Sequence, residues 1–130
     1  MLTIYTKGSC LSSRNVRKWL ENHHILYKEV NLTTQPISKE EFVELLRFTQ
    51  FGTQELLSRR SSIYRNLSKR YNFQDLTLSE LISVVQAYPS LLRKPIVFDG
   101  KKLQVGYNED EMRKFIPRTY RKMKLMGSKI

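Results

Sequence analysis

Apolar and polar residues alternate over Leu2–Thr6, a β-rich run that predicts a first strand. Gly8-Ser9-Cys10 reads as a turn leading into a helix. Val16, Trp19, Leu20 and His23 recur at i, i+3, i+4 and i+7, one face of a helix from about Ser13 to His23. His23 and His24 stand where C-terminal caps are expected. Leu26–Leu32 reads as a second strand. Two strands joined by so short a helix make a βαβ unit, so they should run parallel.

The middle of the chain has helical periodicity. Ser38-Lys39-Glu40-Glu41 is a capping box, in which the Ser38 hydroxyl and the Glu41 carboxylate each satisfy an orphan backbone N–H. The helix that follows should bury Phe42, Leu45, Leu46 and Thr49, with Gly52 stopping it in a left-handed conformation and Thr53 capping a short turn. A further helix is expected over about Ser61–Lys69, with Ile63 and Leu67 inward. Thr77-Leu78-Ser79-Glu80 is a second capping box, after which Leu78, Leu81, Ile82 and Val85 line one face. Pro95–Phe98 reads as an apolar strand, Asp99-Gly100 as a hairpin turn, and Leu103–Gly106 as the returning strand. Asn108 caps a short last helix with Met112, Phe115 and Ile116 inward, ended by Pro117. The order β-α-β, helices, β-β-α predicts an α/β fold: a thioredoxin-like mixed four-stranded sheet with a central helical insertion. The expected layout is one domain over 1–117, with its core in 1–34 and 92–117, the insertion in 35–91, and a flexible basic tail over 118–130.

Length and composition narrow the function. The chain has 130 residues, room for one domain, and no apolar run long enough to span a bilayer. With no basic stretch ahead of an apolar one, the N-terminus does not read as a signal peptide, and a cytoplasmic protein is expected. The net charge is +11, with 23 Lys+Arg against 12 Asp+Glu. The excess falls in two places, around Arg59, Arg60, Arg65, Lys69 and Arg70, and in the tail from Arg113 to Lys129, which contains no acid. Such clusters read either as solvated faces or as phosphate-contacting surface, since clustered cations release counterions from nucleic acid. No helix-turn-helix, zinc-finger or RNA-stacking motif accompanies them. No metal and no cofactor are expected, because His, Cys and Asp are not clustered at ligand spacing.

The chemistry centres on Cys10, the one cysteine. At a helix N-terminus, with Arg14 one turn on, the thiolate is favoured and the pKa should fall. Cys10-Leu11-Ser12-Ser13 occupies the place of a C-x-x-C motif with Ser13 at the second cysteine's position. A hydroxyl can hydrogen-bond a thiolate but cannot close a disulfide, so oxidation would stop at sulfenic acid or end in a mixed disulfide.

Three stretches carry a more specific signal: Leu103-Gln104-Val105-Gly106-Tyr107-Asn108-Glu109-Asp110-Glu111-Met112-Arg113, Leu91-Leu92-Arg93-Lys94-Pro95-Ile96, and Leu46-Arg47-x-Thr49-x-x-Gly52-Thr53. With them the chain, from residue 1 to about residue 121, resembles the Spx family of bacterial transcription regulators, which belongs with the arsenate reductases (ArsC-like) in the thioredoxin-like fold. The resemblance implies a monomer that docks on the C-terminal domain of the RNA polymerase α subunit and contacts promoter DNA jointly with it, controlling thiol-stress genes. It places Gly52 on the α-docking surface with Arg47 close by, and Arg60 and Lys94 around the redox cysteine, where Arg14 and Pro95 also stand; in thioredoxin-like folds that proline is cis, which spacing alone does not show. The DNA contacts would come from Arg59, Arg60, Arg65 and Lys69. It also implies degradation by the Clp protease machinery through the C-terminal tail. No membrane association is implied.

An enzymatic reading stands beside it. Cys10-Leu11-Ser12-Ser13-Arg14-Asn15 matches the C-x-x-S-R-N of arsenate reductases, in which one cysteine attacks arsenate and glutaredoxin or glutathione resolves the product. Against it, the position just before Pro95 is Lys94, a point charge where those enzymes need the planar fork of an arginine.

Overall fold

The computed structural model describes residues 2–7 and 10–117; the tail over 118–130, with its expected flexibility and degradation signal, lies outside the described residues. Strand β1 (Leu2–Thr6) lies at the centre of a four-stranded sheet of order β2-β1-β3-β4. It pairs in parallel with β2 (Tyr27–Asn31), from Leu2 opposite Tyr27 to Thr6 opposite Asn31. On its other edge it pairs antiparallel with β3 (Ile96–Phe98), Ile4 opposite Val97. β3 continues antiparallel into β4 (Leu103–Val105), Ile96 opposite Val105. This is the expected thioredoxin-like mixed sheet.

Helices cover both faces. Leu2, Ile4 and Val97 point to one side and pack with Val16, Trp19 and Leu20 of α1 (Leu11–Asn22) and with Met112, Phe115 and Ile116 around α5 (Glu109–Met112). Tyr5, Val30, Ile96 and Phe98 point to the other side, against α2 (Lys39–Arg47), α3 (Ser62–Ser68) and α4 (Leu78–Ala87). The period-two pattern of the strands thus feeds two separate cores.

Local sequence explains most element ends. Both capping boxes form: Glu41 N donates to Ser38 Oγ and Ser38 N to Glu41 Oε1, each at 3.0 Å, and Thr77 and Glu80 exchange the equivalent pair. At the end of α1, His23 N and Nδ1 both donate to the Trp19 carbonyl, its ring stacks on Trp19 at 4.0 Å, and His24 turns the chain at φ +54°. The 99–102 loop is held by Asp99, whose carboxylate accepts from Lys101 N and Lys102 N, with Gly100 at φ +93°.

Five expectations need correction. α1 begins at Leu11, two residues before Ser13, because the Cys10 sulfur itself caps the helix by accepting from Ser13 N. Gly52 is left-handed, at φ +82°, but does not end α2. That helix stops at Arg47 with Phe48 as its cap, and Gly52 opens a separate 3-10 turn through Glu55, inside which Thr53 caps nothing. Leu46 and Thr49, beyond the strongest part of the apolar face, are only half-buried. Leu78 is 39% exposed: as the first residue of α4 it precedes the turn that meets the core, and Leu81, Ile82, Val84 and Val85 provide the buried face.

Phe42 is fully buried at the centre of the insertion-side core, whereas Leu26 is 81% exposed. Phe42→Ala should cost about 3–5 kcal/mol of unfolding free energy, read from urea midpoints at constant m. Leu26→Ala should stay within about 0.5 kcal/mol.

Candidate functional site

β1 delivers the chain to Cys10 at its C-terminal end, and α1 departs from there. Cys10 is exposed while Ser13, one turn on, is completely buried. The Cys10 Sγ to Ser13 Oγ distance is 2.8 Å, and Ser13 N donates to Sγ at 3.4 Å. Burial is the largest single influence on the thiol and pushes its pKa up. The hydrogen bonds from the Ser13 hydroxyl and backbone, with the charges of Arg17 and Lys94, outweigh it and hold the thiol below the ordinary cysteine range.

The arginine that acts on the sulfur is therefore Arg17, not Arg14. The reason is its anchor: Nε donates to Glu29 Oε1 at 2.7 Å and Nη2 to Glu29 Oε2 at 2.6 Å, while the buried Thr6 hydroxyl also donates to Glu29. This bidentate fork fixes Arg17 beside β2, and Arg14 stays exposed. Cys10 and Arg17 are seven residues apart, nearly two helical turns, a spacing that puts them on one face.

A cleft of about 310 Å³ lies beside the thiol, lined by Lys7, Cys10, Ser58, Ser90, Arg93 and Lys94. The Lys94–Pro95 peptide bond is cis. Lys94 Nζ donates to the Pro89 carbonyl at 2.7 Å, and Lys7 Nζ to Ser90 Oγ at 2.7 Å. Burial and the neighbouring charge of Lys7 bring Lys94 down to about 8, opposed by Cys10. Arg60 does not line this cleft. It lines an adjoining cavity of about 400 Å³ with Arg59 and Arg93, and the two spaces share Ser58 and Arg93.

The remaining expected residues lie elsewhere. Arg47 ends α2, exposed, with Nη1 3.3 Å from Glu44 Oε2. Beyond it Phe51 is 66% exposed, and a Cβ built on Gly52 would meet nothing within 4 Å. The Glu55 carboxylate accepts from Gln50 N and Phe51 N and fixes this turn. Of the four expected DNA contacts only Arg65 lies within α3; Arg59 and Arg60 precede it, and Lys69 caps it. All four are exposed, but they do not form one helical stripe. Sequence reasoning missed Arg17, Ser58 and Arg93. The i+7 spacing could have pointed to Arg17, whereas Ser58 and Arg93 meet only through tertiary folding.

The model of the ArsC family matches residues 5–115. A protein named global transcriptional regulator Spx 1 from Oceanobacillus iheyensis is 46% identical over 125 residues, covering 96% of this chain and 94% of that protein. A global transcriptional regulator Spx from Streptococcus mutans is 41% identical over 130 residues, covering 100% of this chain and 93% of that protein. The chain belongs to the Spx branch of the ArsC family. The fold extends further: an arsenate reductase from Vibrio cholerae superposes with TM-score 0.74 at 21% identity, over 89% of this chain and 97% of that one. In this Spx-branch protein one serine and two cations lower the pKa of the sulfur, with no second thiol in the sequence.

Two measurements test this arrangement. The alkylation rate of Cys10 should titrate below the ordinary midpoint of about 8.5. Ser13→Ala and Lys94→Met should each move that midpoint up, because each removes a partner of the thiolate. Lys94 and Cys10 both titrate lower in the folded chain than in the unfolded one, so the unfolded chain holds more protons between their folded and ordinary values. Stability should therefore rise with pH from about 8 to 10.5, and Lys94→Met should flatten that rise in urea unfolding.

Proposed function

We propose that this Spx-like transcription regulator docks on the C-terminal domain of the RNA polymerase α subunit through the exposed surface around Arg47, Phe51 and Gly52. The observation that carries the reading is the full-length likeness to proteins named Spx, together with the openness of this turn. Gly52 adopts a backbone conformation that side chains rarely take and has empty space above it, which suits close approach by another protein. The exposed cations Arg59, Arg60, Arg65 and Lys69 supplement the phosphate contacts that the polymerase subunit makes on promoter DNA. The thiol-stress input enters at Cys10, the one cysteine, so it ends in sulfenic acid or in a mixed disulfide with a second molecule.

The arsenate reductase reading has one observation in its favour, a depressed, exposed thiol capping a helix in a Cys-x-x-Ser-Arg-Asn run. Lys94 weakens it. Its ammonium is tied to the Pro89 carbonyl and loses its proton near pH 8, so it offers no permanent fork for an oxyanion.

In isothermal titration calorimetry with the α C-terminal domain, Gly52→Arg should abolish measurable binding. Gly52→Ala, which carries the same backbone strain without the bulk, should retain it; equal loss in both would assign the effect to strain and remove Gly52 from the interface. In the ternary complex with promoter DNA, Arg65→Ala should reduce the slope of log K against log salt by about 1. Under diamide, Ser13→Cys should lose both thiols and two hydrogens of mass, as diamide takes up the two hydrogens and the sulfurs join in an intramolecular disulfide. The native chain should instead retain its thiol or gain the mass of an adduct. A glutaredoxin-coupled arsenate assay should give no turnover above that of Cys10→Ser.

A further inference from the structure

Three arginines converge on one cavity with no acid to answer them. Arg59, Arg60 and Arg93 line a space of about 400 Å³ together with Gln54, Leu57 and Ser58. Among the described residues none of the three makes an ion pair. Arg59 Nη1 donates to the neutral oxygen of Gln54 at 2.9 Å, which orients the guanidinium without neutralising it. Leu57, 4% exposed, gives the cavity an apolar wall.

The convergence is built by the backbone. Ser58 N donates to the Leu91 carbonyl at 2.7 Å, Arg93 N donates to the Leu56 carbonyl at 2.8 Å, and Leu57 and Leu92 form an antiparallel bridge between these two bonds. Leu56, Leu57, Leu91 and Leu92 are all buried, so the two segments are clamped from the core side. Residues more than thirty positions apart are thereby held side by side, and the arginines that follow them line one space. Like charges gathered around one space repel, and an anion seated among them relieves that repulsion. Guanidinium forks pair with carboxylates and with phosphates, and of the two the phosphate has the extra oxygen and charge to accept from more than one fork at once.

We propose that the Arg59–Arg60–Arg93 cavity is a phosphate-binding site, with Arg93 as a ligand outside the cations of α3. The phosphate is either the terminal part of a free oligophosphate or a backbone phosphate of nucleic acid. Only the second source rests on the docking and DNA reading above. Arg65 and Lys69 line no part of this cavity and serve as internal controls. The site also abuts the thiol cleft, since Ser58 and Arg93 line both spaces.

The test titrates the full chain with inorganic tripolyphosphate by calorimetry at fixed ionic strength. The expected result is saturable one-to-one binding, weakened about tenfold or more by Arg93→Ala and by Arg59→Ala, as loss of a charge-assisted hydrogen bond implies. Arg65→Ala should leave the affinity unchanged. Arg59 and Arg93 are exposed, and unchanged circular dichroism and urea midpoints would show that their variants fold. Absence of saturable binding by the native chain overturns the site, as does an equal loss in Arg65→Ala, which would mean diffuse attraction to a basic surface. A second arm adds tripolyphosphate to the ternary complex with the α C-terminal domain and a promoter duplex. Displacement of the duplex at the concentration that fills the cavity assigns it to a backbone phosphate; an undisturbed complex assigns it to a free oligophosphate. If no ternary complex forms, the docking reading fails while the first arm still decides the cavity.

Discussion

The position of β1 between β2 and β3 is the constraint on which the rest of the molecule depends. It is hydrogen-bonded on both edges, parallel to one neighbour and antiparallel to the other. Being saturated on both edges, it cannot slip by one residue without turning Leu2 and Ile4 from the α1 face to the insertion face. The parallel partner requires a crossover, and α1 supplies it. The C-terminal end of β1 is consequently a fixed point where a strand ends, a helix begins and the neighbouring connection reverses direction. Open α/β sheets bind ligands outside such strand ends, and Cys10 stands there.

From that point the chemistry follows by short links. The Cys10 sulfur caps α1, which gives it a backbone donor from Ser13. Ser13 is completely buried, and among the described residues its hydroxyl bonds to the sulfur. Thr6, the last residue of β1, binds Glu29 of β2, and Glu29 holds Arg17. The same parallel pairing that sets the fold thus brings a second strand's carboxylate to the arginine that acts on the thiol. Lys94, at the entry to β3, adds its charge to the sulfur from beyond the other edge of β1.

What the sequence made legible was local. Ser38 with Glu41 and Thr77 with Glu80 are read correctly because a capping box lies within four residues. The strands, their directions and the inward faces around Val16, Leu67 and Met112 follow from periodicity for the same reason. Gly52 was legible in conformation and not in role: a left-handed glycine after a helix fits a helix stop, yet α2 ends at Phe48 through ordinary backbone bonds to Leu45 and Leu46. Arg14 is the arginine that proximity along the chain points to, and Arg17 stays hidden because its anchor, Glu29, lies twelve residues beyond it. Arg93 could not be found at all by spacing, since its neighbours Arg59 and Arg60 reach it only through the Leu57–Leu92 bridge.

The net charge gains meaning once its placement is known. Glu40, Glu41, Glu44 and Asp99 gather around one hollow with Tyr5 and Phe98, whereas the cations of the thiol cleft and of the arginine cavity face no carboxylate there. An even scatter of 23 cations and 12 acids would give a weak field everywhere. Segregation gives a dipolar surface, with the exposed Arg47–Gly52 turn following α2, which carries three of those acids, and leading to Arg59 and Arg60. Such a field orients a charged partner before any contact forms. The same segregation concentrates like charge where α3 begins. That repulsion is tolerated because the Leu56–Leu57 and Leu91–Leu92 segments are buried beneath it and joined by backbone hydrogen bonds. Apolar burial at this junction therefore supports the charge that the surface above it presents.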